Sequence, residues 1–112
     1  MTPIPFTITN WNELAVQGEA GVSGEAYVKS IDLGDVKLRQ IKYSPGYEAD
    51  HFCTKGHIVY CIAGSFEITL SDLSTYLISA GNTFQVSDNL STHKVISKTG
   101  ATVFVVDGNF LK

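Results

Sequence analysis

Apolar and polar residues alternate from position 66 to 71, so that Phe66, Ile68 and Leu70 fall on one side of an extended strand and Glu67, Thr69 and Ser71 on the other. The first set belongs in an interior. Short runs rich in β-branched and aromatic residues recur from Val36 onward and predict strands over 37–43, 57–63, 66–70, 75–79, 83–87, 92–97 and 102–106. Turn signals separate them: Ser44-Pro45-Gly46, Thr54-Lys55-Gly56, Gly64-Ser65, Ser71-Asp72-Leu73-Ser74, Ala80-Gly81-Asn82, residues 87–91, and Lys98-Thr99-Gly100. No segment keeps a helical period beyond two turns. One short helical turn is expected at Asn-Trp-Asn-Glu-Leu, with Asn10 as its cap and Glu13 three residues on. Many short strands with Gly, Asn, Asp and Ser between them predict an all-β protein, an antiparallel sandwich or small barrel.

A chain of 112 residues is one domain able to bury roughly 65% of its unfolded surface, enough for a core without disulfide staples. With 44% hydrophobic and 17% charged residues it is a packed globule rather than a disordered chain. No linker, repeat or low-complexity tract suggests a second domain. Eight basic residues stand against eleven acidic ones, for a net charge of -3, and the basic ones are scattered from Lys29 to Lys112. Nucleic-acid binding needs clustered positive charge, so no nucleic-acid partner is expected. The opening MTPIPFTITN carries neither a basic leader nor an apolar signal run, and no stretch approaches the ~20 apolar residues of a membrane span. The expectation is a soluble, cytoplasmic protein with no membrane partner. In that setting Cys53 and Cys61 are thiols, with a Cys53–Cys61 disulfide as the alternative.

The chain has three histidines and two cysteines, and His51, Cys53 and His57 fall together in ADHFCTKGH, residues 49–57. If this piece is extended, His51 and Cys53 leave the same face; Thr54-Lys55-Gly56 permits a reversal, and His57 opens the next strand on the parity of Val59 and Cys61. Three donors then surround one point. His93 alternates with Val95 and Ser97, and turned inward it supplies a fourth. Imidazole nitrogen and thiolate sulfur are the ligands of zinc and the later first-row metals. Taken singly, His93 reads as a hydrogen-bonded histidine, Cys53 as a small buried hydrophobe and Cys61 as a core residue. Asp50 and Lys55 read as solvated, and Tyr43, Tyr60 and Tyr76 as packing aromatics. No Ser-His-Asp arrangement is visible, and the Gly-rich stretch at 18–26 lacks the strand and helix context of a phosphate loop.

These residues resemble the cupin superfamily, whose first motif has the form G-x5-H-x-H-x3,4-E-x6-G and whose second is G-x5-P-x-G-x2-H-x3-N. Here Gly46 is followed after four residues by His51, then after one by Cys53, after three by His57 and after six by Gly64. Through residues 43–61, 84–93 and 104–108 the chain is most similar to the small single-domain bacterial cupins with a DHCW-type motif. The resemblance spans 36–108. It departs at Cys53, where the superfamily has its second histidine, at His57, where it has glutamate, and at Phe52, where the DHCW-type relatives carry tryptophan. In the second motif Ser87 replaces proline, Asn89 stands at the glycine, His93 comes one residue late and Ser97 takes the asparagine position.

The resemblance implies a single cupin domain over 1–112, an antiparallel β-sandwich or jelly-roll barrel, with 1–35 as an N-terminal extension or edge strands and 36–108 as the core. Carried over residue by residue, it implies a metal held by His51, Cys53, His57 and His93. Zinc is the first expectation, iron or nickel the alternatives. If Cys53 ligates together with three imidazoles, a zinc site is closed and serves stability or ligand sensing without catalysis. If Cys53 stands back, three histidines leave open positions for an oxygenase- or isomerase-like reaction on a small molecule. Cupins commonly pair through their sheets, so a homodimer is expected, with an exposed edge strand near the amino terminus as the means.

Overall fold

The computed structural model describes residues 3–112. Asn10 caps a single 3-10 turn, Trp11–Glu13, its side-chain oxygen accepting from the Asn12 amide at 3.1 Å. Nine strands follow among the described residues: β1 (Gln17–Ala20), β2 (Glu25–Asp32), β3 (Val36–Tyr43), β4 (Tyr47–Glu48), β5 (His57–Leu70), β6 (Thr75–Ser79), β7 (Thr83–Val86), β8 (His93–Ser97) and β9 (Ala101–Gly108). No helix among them is long and apolar enough to cross a membrane.

Pairing is antiparallel throughout, in the order β1-β2-β3-β9-β5-β8-β4, with β6 and β7 also on β5. The long β5 joins two layers. Its first half pairs with β9 and β7, its second half with β8 and β6. The strands expected separately at 57–63 and 66–70 are therefore one. Gly64 does not turn the chain back; it adopts φ +74 beside a register shift at Cys61/Ala63, a bulge that bends β5 from one layer into the other.

One side of the curled sheet is closed where the turn after β1 meets β4, with the Val22 amide donating to Glu48 O at 2.8 Å and the Glu48 amide to Ser23 O at 3.0 Å. On the opposite side β6 and β7 are consecutive in the chain, yet each pairs only with β5 among the described residues. They part in a V.

Inward residues from these strands form one core: Ala26, Val28, Ile41, Val59, Cys61, Phe66, Ile68, Ala101, Val103 and Val105. Phe66 and Ile68 are buried and Leu70 packs against them, so the alternation at 66–71 points inward as expected. Cys61 is a fully buried core residue and Cys53 is also a free thiol.

Candidate metal centre

Two backbone hydrogen bonds bring residues forty apart in sequence together. The Cys53 amide donates to His93 O at 2.7 Å and the His93 amide to Cys53 O at 3.1 Å, an isolated bridge that fixes the loop before β5 to the start of β8. His57 opens β5, and its register opposite Val86 of β7 and beside β9 turns its ring to the same point. Thr54-Lys55-Gly56 is pinned in turn, since the Gly56 amide donates to Asp88 Oδ1 at 2.6 Å and the Asn89 amide to Thr54 O at 2.8 Å.

The outcome is a compact set of donors. One ligand atom each from Cys53, His57 and His93 lies within 4.8 Å of the others. Cys53 Sγ is 3.5 Å from His57 Nε2, and the two imidazoles meet edge to face with centroids 5.3 Å apart. Bonds of about 2.0–2.3 Å to one tetrahedral ion place its donors roughly 3.3–3.8 Å apart; the Cys53–His57 pair already has that spacing, and a pair at the outer limit of the cluster would close by about 1 Å.

His51 stands outside this set. Residues 50–51 form a bend instead of continuing a strand, so the extended parity that would have put His51 beside Cys53 is lost. Its side chain is 77% exposed and its Nδ1 lies 2.6 Å from Asp50 Oδ1.

Both inward histidines have their tautomer set from behind. His57 Nδ1 faces Asp107 Oδ1, and a carboxylate can only accept, so Nδ1 carries the proton. His93 Nδ1 donates to Ser91 O at 3.1 Å. In each ring Nε2 is left to face the cluster, the arrangement by which metal-binding imidazoles are oriented. Beside the cluster lies a cavity of about 380 Å³, walled by Val28, Ile41, Tyr43, Val59, Phe84 and Val105 and also reached by Arg39.

No protein-family model matches this sequence, and no curated protein matches it. Solved structures are similar in fold. The polyketide cyclase RemF of Streptomyces resistomycificus superposes with a TM-score of 0.78 at 18% identity, covering 93% of this chain and 80% of that one. An RmlC-like cupin from Shewanella frigidimarina gives 0.75 at 14% identity over 93% of this chain and 91% of its own. A predicted oxalate decarboxylase from Thermotoga maritima gives 0.75 at 14% identity over 91% and 99%. The chain has the cupin fold.

Within this cupin barrel two residues that motif reading did not single out support the site. Asp107, on the inward parity of Val103 and Val105 in β9, holds His57 through one oxygen and accepts from Arg39 Nε at 2.8 Å through the other. Burial alone would raise the Asp107 carboxyl; the His57 hydrogen bond and the Arg39 guanidinium outweigh it and hold it below the usual carboxylate range. Burial would likewise lower His57, but Asp107 and Cys53 lift it to about 9. Hydrogen bonds from His57 and His93 pull the Cys53 thiol down to about 5 against its burial. Without a metal, Cys53 and His57 form a thiolate–imidazolium pair backed by Asp107.

Proposed function

We propose that this chain is a metal-binding cupin acting on a small molecule, with Cys53, His57 and His93 holding a divalent transition metal and the adjoining cavity receiving the substrate. The observation that carries this reading is the convergence of one thiol and two imidazoles whose Nε2 atoms are aimed by Asp107 and the Ser91 carbonyl. The donor set fits zinc, since one thiolate and two neutral imidazoles are soft to borderline ligands that suit it better than the harder, oxygen-ligated metals. It matches neither extreme expected from the sequence. In this reading Cys53 ligates and His51 does not, so three protein ligands leave a fourth position, as in catalytic rather than structural zinc sites. Such an ion, when bound, supplies Lewis acidity to a carbonyl or hydroxyl oxygen of the substrate.

The chain's own residues then bind and orient. Val28, Ile41, Val59 and Val105 give the cavity an apolar wall. Tyr43, stacked on Tyr47 with centroids 4.9 Å apart, has its phenol pushed far up by burial and stays a neutral hydrogen-bond donor. The similar structures described as a polyketide cyclase and a predicted oxalate decarboxylase favour small-molecule carbonyl chemistry as the class.

Metal analysis on protein purified without added metal tests the reading. One equivalent of zinc is expected in the wild type and in His51→Ala, and loss of it in Cys53→Ser and His57→Ala. Zinc retained by Cys53→Ser, or lost in His51→Ala, would contradict the assignment of ligands.

A further inference from the structure

A second cavity, of about 310 Å³, lies in the V between β6 and β7. Ile68, Leu70, Ile78 and Val86 line it, together with Phe84 and His93, which also wall the chamber beside Cys53 and His57. Phe84 and His93 contact edge to face with centroids 5.9 Å apart, and Phe84 leans on Phe66 at 6.1 Å. The two spaces thus share a partition made of one phenyl ring and one of the metal-directed imidazoles.

Their chemistry differs. Charged side chains of Glu19, Arg39, Asp50 and Lys94 reach the first chamber. The cleft has no lysine, arginine, aspartate or glutamate on its walls among the described residues. An apolar group entering the first chamber would strip water from these charges at a cost, whereas in the cleft it gains burial against aliphatic walls. Phe84 sits on a four-residue edge strand that pairs only with β5 among the described residues, so the backbone that carries the ring is held by a single ladder.

We propose that the β6–β7 cleft is a second subsite of the same centre, taking the apolar arm of a ligand whose oxygen-bearing head reaches the group held by Cys53, His57 and His93, with Phe84 as the movable partition. The substrate class is therefore a small oxygenated molecule carrying an alkyl or acyl chain. The proposal rests on the metal-binding reading above, and its test separates the two.

Protein loaded with cobalt(II), its cobalt–thiolate absorption confirming ligation by Cys53, is titrated calorimetrically with acetohydroxamic, butyrohydroxamic, hexanohydroxamic and octanohydroxamic acids. Each added methylene is expected to tighten binding about fourfold until the cleft is full. Ile78→Trp, which fills the cleft, should abolish that gain while acetohydroxamic acid still binds, and Phe84→Ala should increase it for the octyl compound. Val86→Phe serves the same purpose if Ile78→Trp does not fold. Affinity independent of chain length overturns the subsite, as does a gain that survives the cleft-filling variants and disappears in Val28→Phe, which narrows the first chamber instead. A protein without the cobalt–thiolate band overturns the metal reading and, with its anchoring head gone, the subsite too; that failure is recognisable before any hydroxamate is added.

Discussion

Asp107 serves His57 with one carboxylate oxygen and Arg39 with the other, so a single residue couples the charge of β3 to the ring orientation of a donor on β5. Asp107→Asn keeps the shape but removes the charge that fixes the His57 tautomer. Its expected effect is a loss of zinc affinity of about 10–100-fold, measured by competition with a chromophoric chelator, with the strand content unchanged. Unchanged affinity would mean that Asp107 is only a surface partner of Arg39. The residue was within reach of sequence reasoning, because an aspartate that continues the inward parity of Val103 and Val105 along a strand is a partly buried charge in need of a partner. His51 was not. Whether residues 49–53 run straight or bend depends on where Cys53 bridges to His93, a contact made across forty residues that no local pattern encodes. Cys53 offers a second check at this scale. In metal-free protein its alkylation by iodoacetamide should follow a titration centred at about 5 instead of the ordinary 9, and zinc should suppress it. A midpoint near the ordinary thiol value would remove the ion pair with His57.

At the scale of elements, β5 carries the molecule, since it pairs with four other strands and crosses from one layer to the other at Gly64. A Cβ at Gly64 would run into the Gly100 carbonyl oxygen and approach Ala101 Cα to 2.9 Å, on a backbone already at φ +74. Gly46 also has a positive φ, +82, but nothing lies within 4 Å of its missing Cβ. The two are therefore a matched pair. Gly46→Ala should cost about 1–2 kcal/mol from backbone conformation alone, while Gly64→Ala adds a backbone clash that only moving β9 can relieve, and should cost visibly more in urea unfolding. Equal costs would mean that β5 yields easily at its crossing. The strands from β5 to β9 were legible because each shows alternation bounded by turn residues, and β6 lies at 75–79 as its pattern predicts. The hairpin of β1 and β2 was not. The stretch GEAGVSGEA, which holds most of β1 and the turn, is too poor in β-branched and aromatic side chains to signal a strand, and it leaves Tyr27, Val28 and Ile31 of β2 without a legible start; β2 is set by β3, along which it pairs from Ala26 to Asp32. The two-residue β4 is likewise made by its partners, β8 and the Lys94–Glu48 ion pair at 3.0 Å.

For the whole molecule, the site links stability to pH, and metal should change the form of that link. In the unfolded chain Cys53 titrates near 9 and His57 near 6.5; in the folded, metal-free protein the values are about 5 and about 9. Cys53, with its value depressed, contributes stability that is complete above the unfolded value and lost as pH falls through about 5. His57, with its value raised, contributes stability that is complete below 6.5 and lost as pH rises through about 9. Between about 6.5 and 9 both states bind one proton across the pair, on the thiol when unfolded and on the imidazole when folded, so stability should be flat there. Below about 6.5 the unfolded chain gains a second proton that the folded one does not, so stability should fall toward about pH 5; the depressed Asp107 adds to the fall only below its ordinary value of 3.8. Zinc changes the balance, because ligation needs the thiolate already present and displaces the His57 proton. Affinity should then rise about tenfold per pH unit as pH climbs toward about 9, within the plateau where the metal-free protein is indifferent. At a free zinc concentration a hundred times the dissociation constant the folded state gains about 2.7 kcal/mol. Thermal unfolding across this range, with zinc and with chelator, reads both effects together: a flat chelated profile under a rising zinc-bound one is expected. Parallel profiles would show that no proton leaves His57 on binding, and would place the metal elsewhere than on its Nε2.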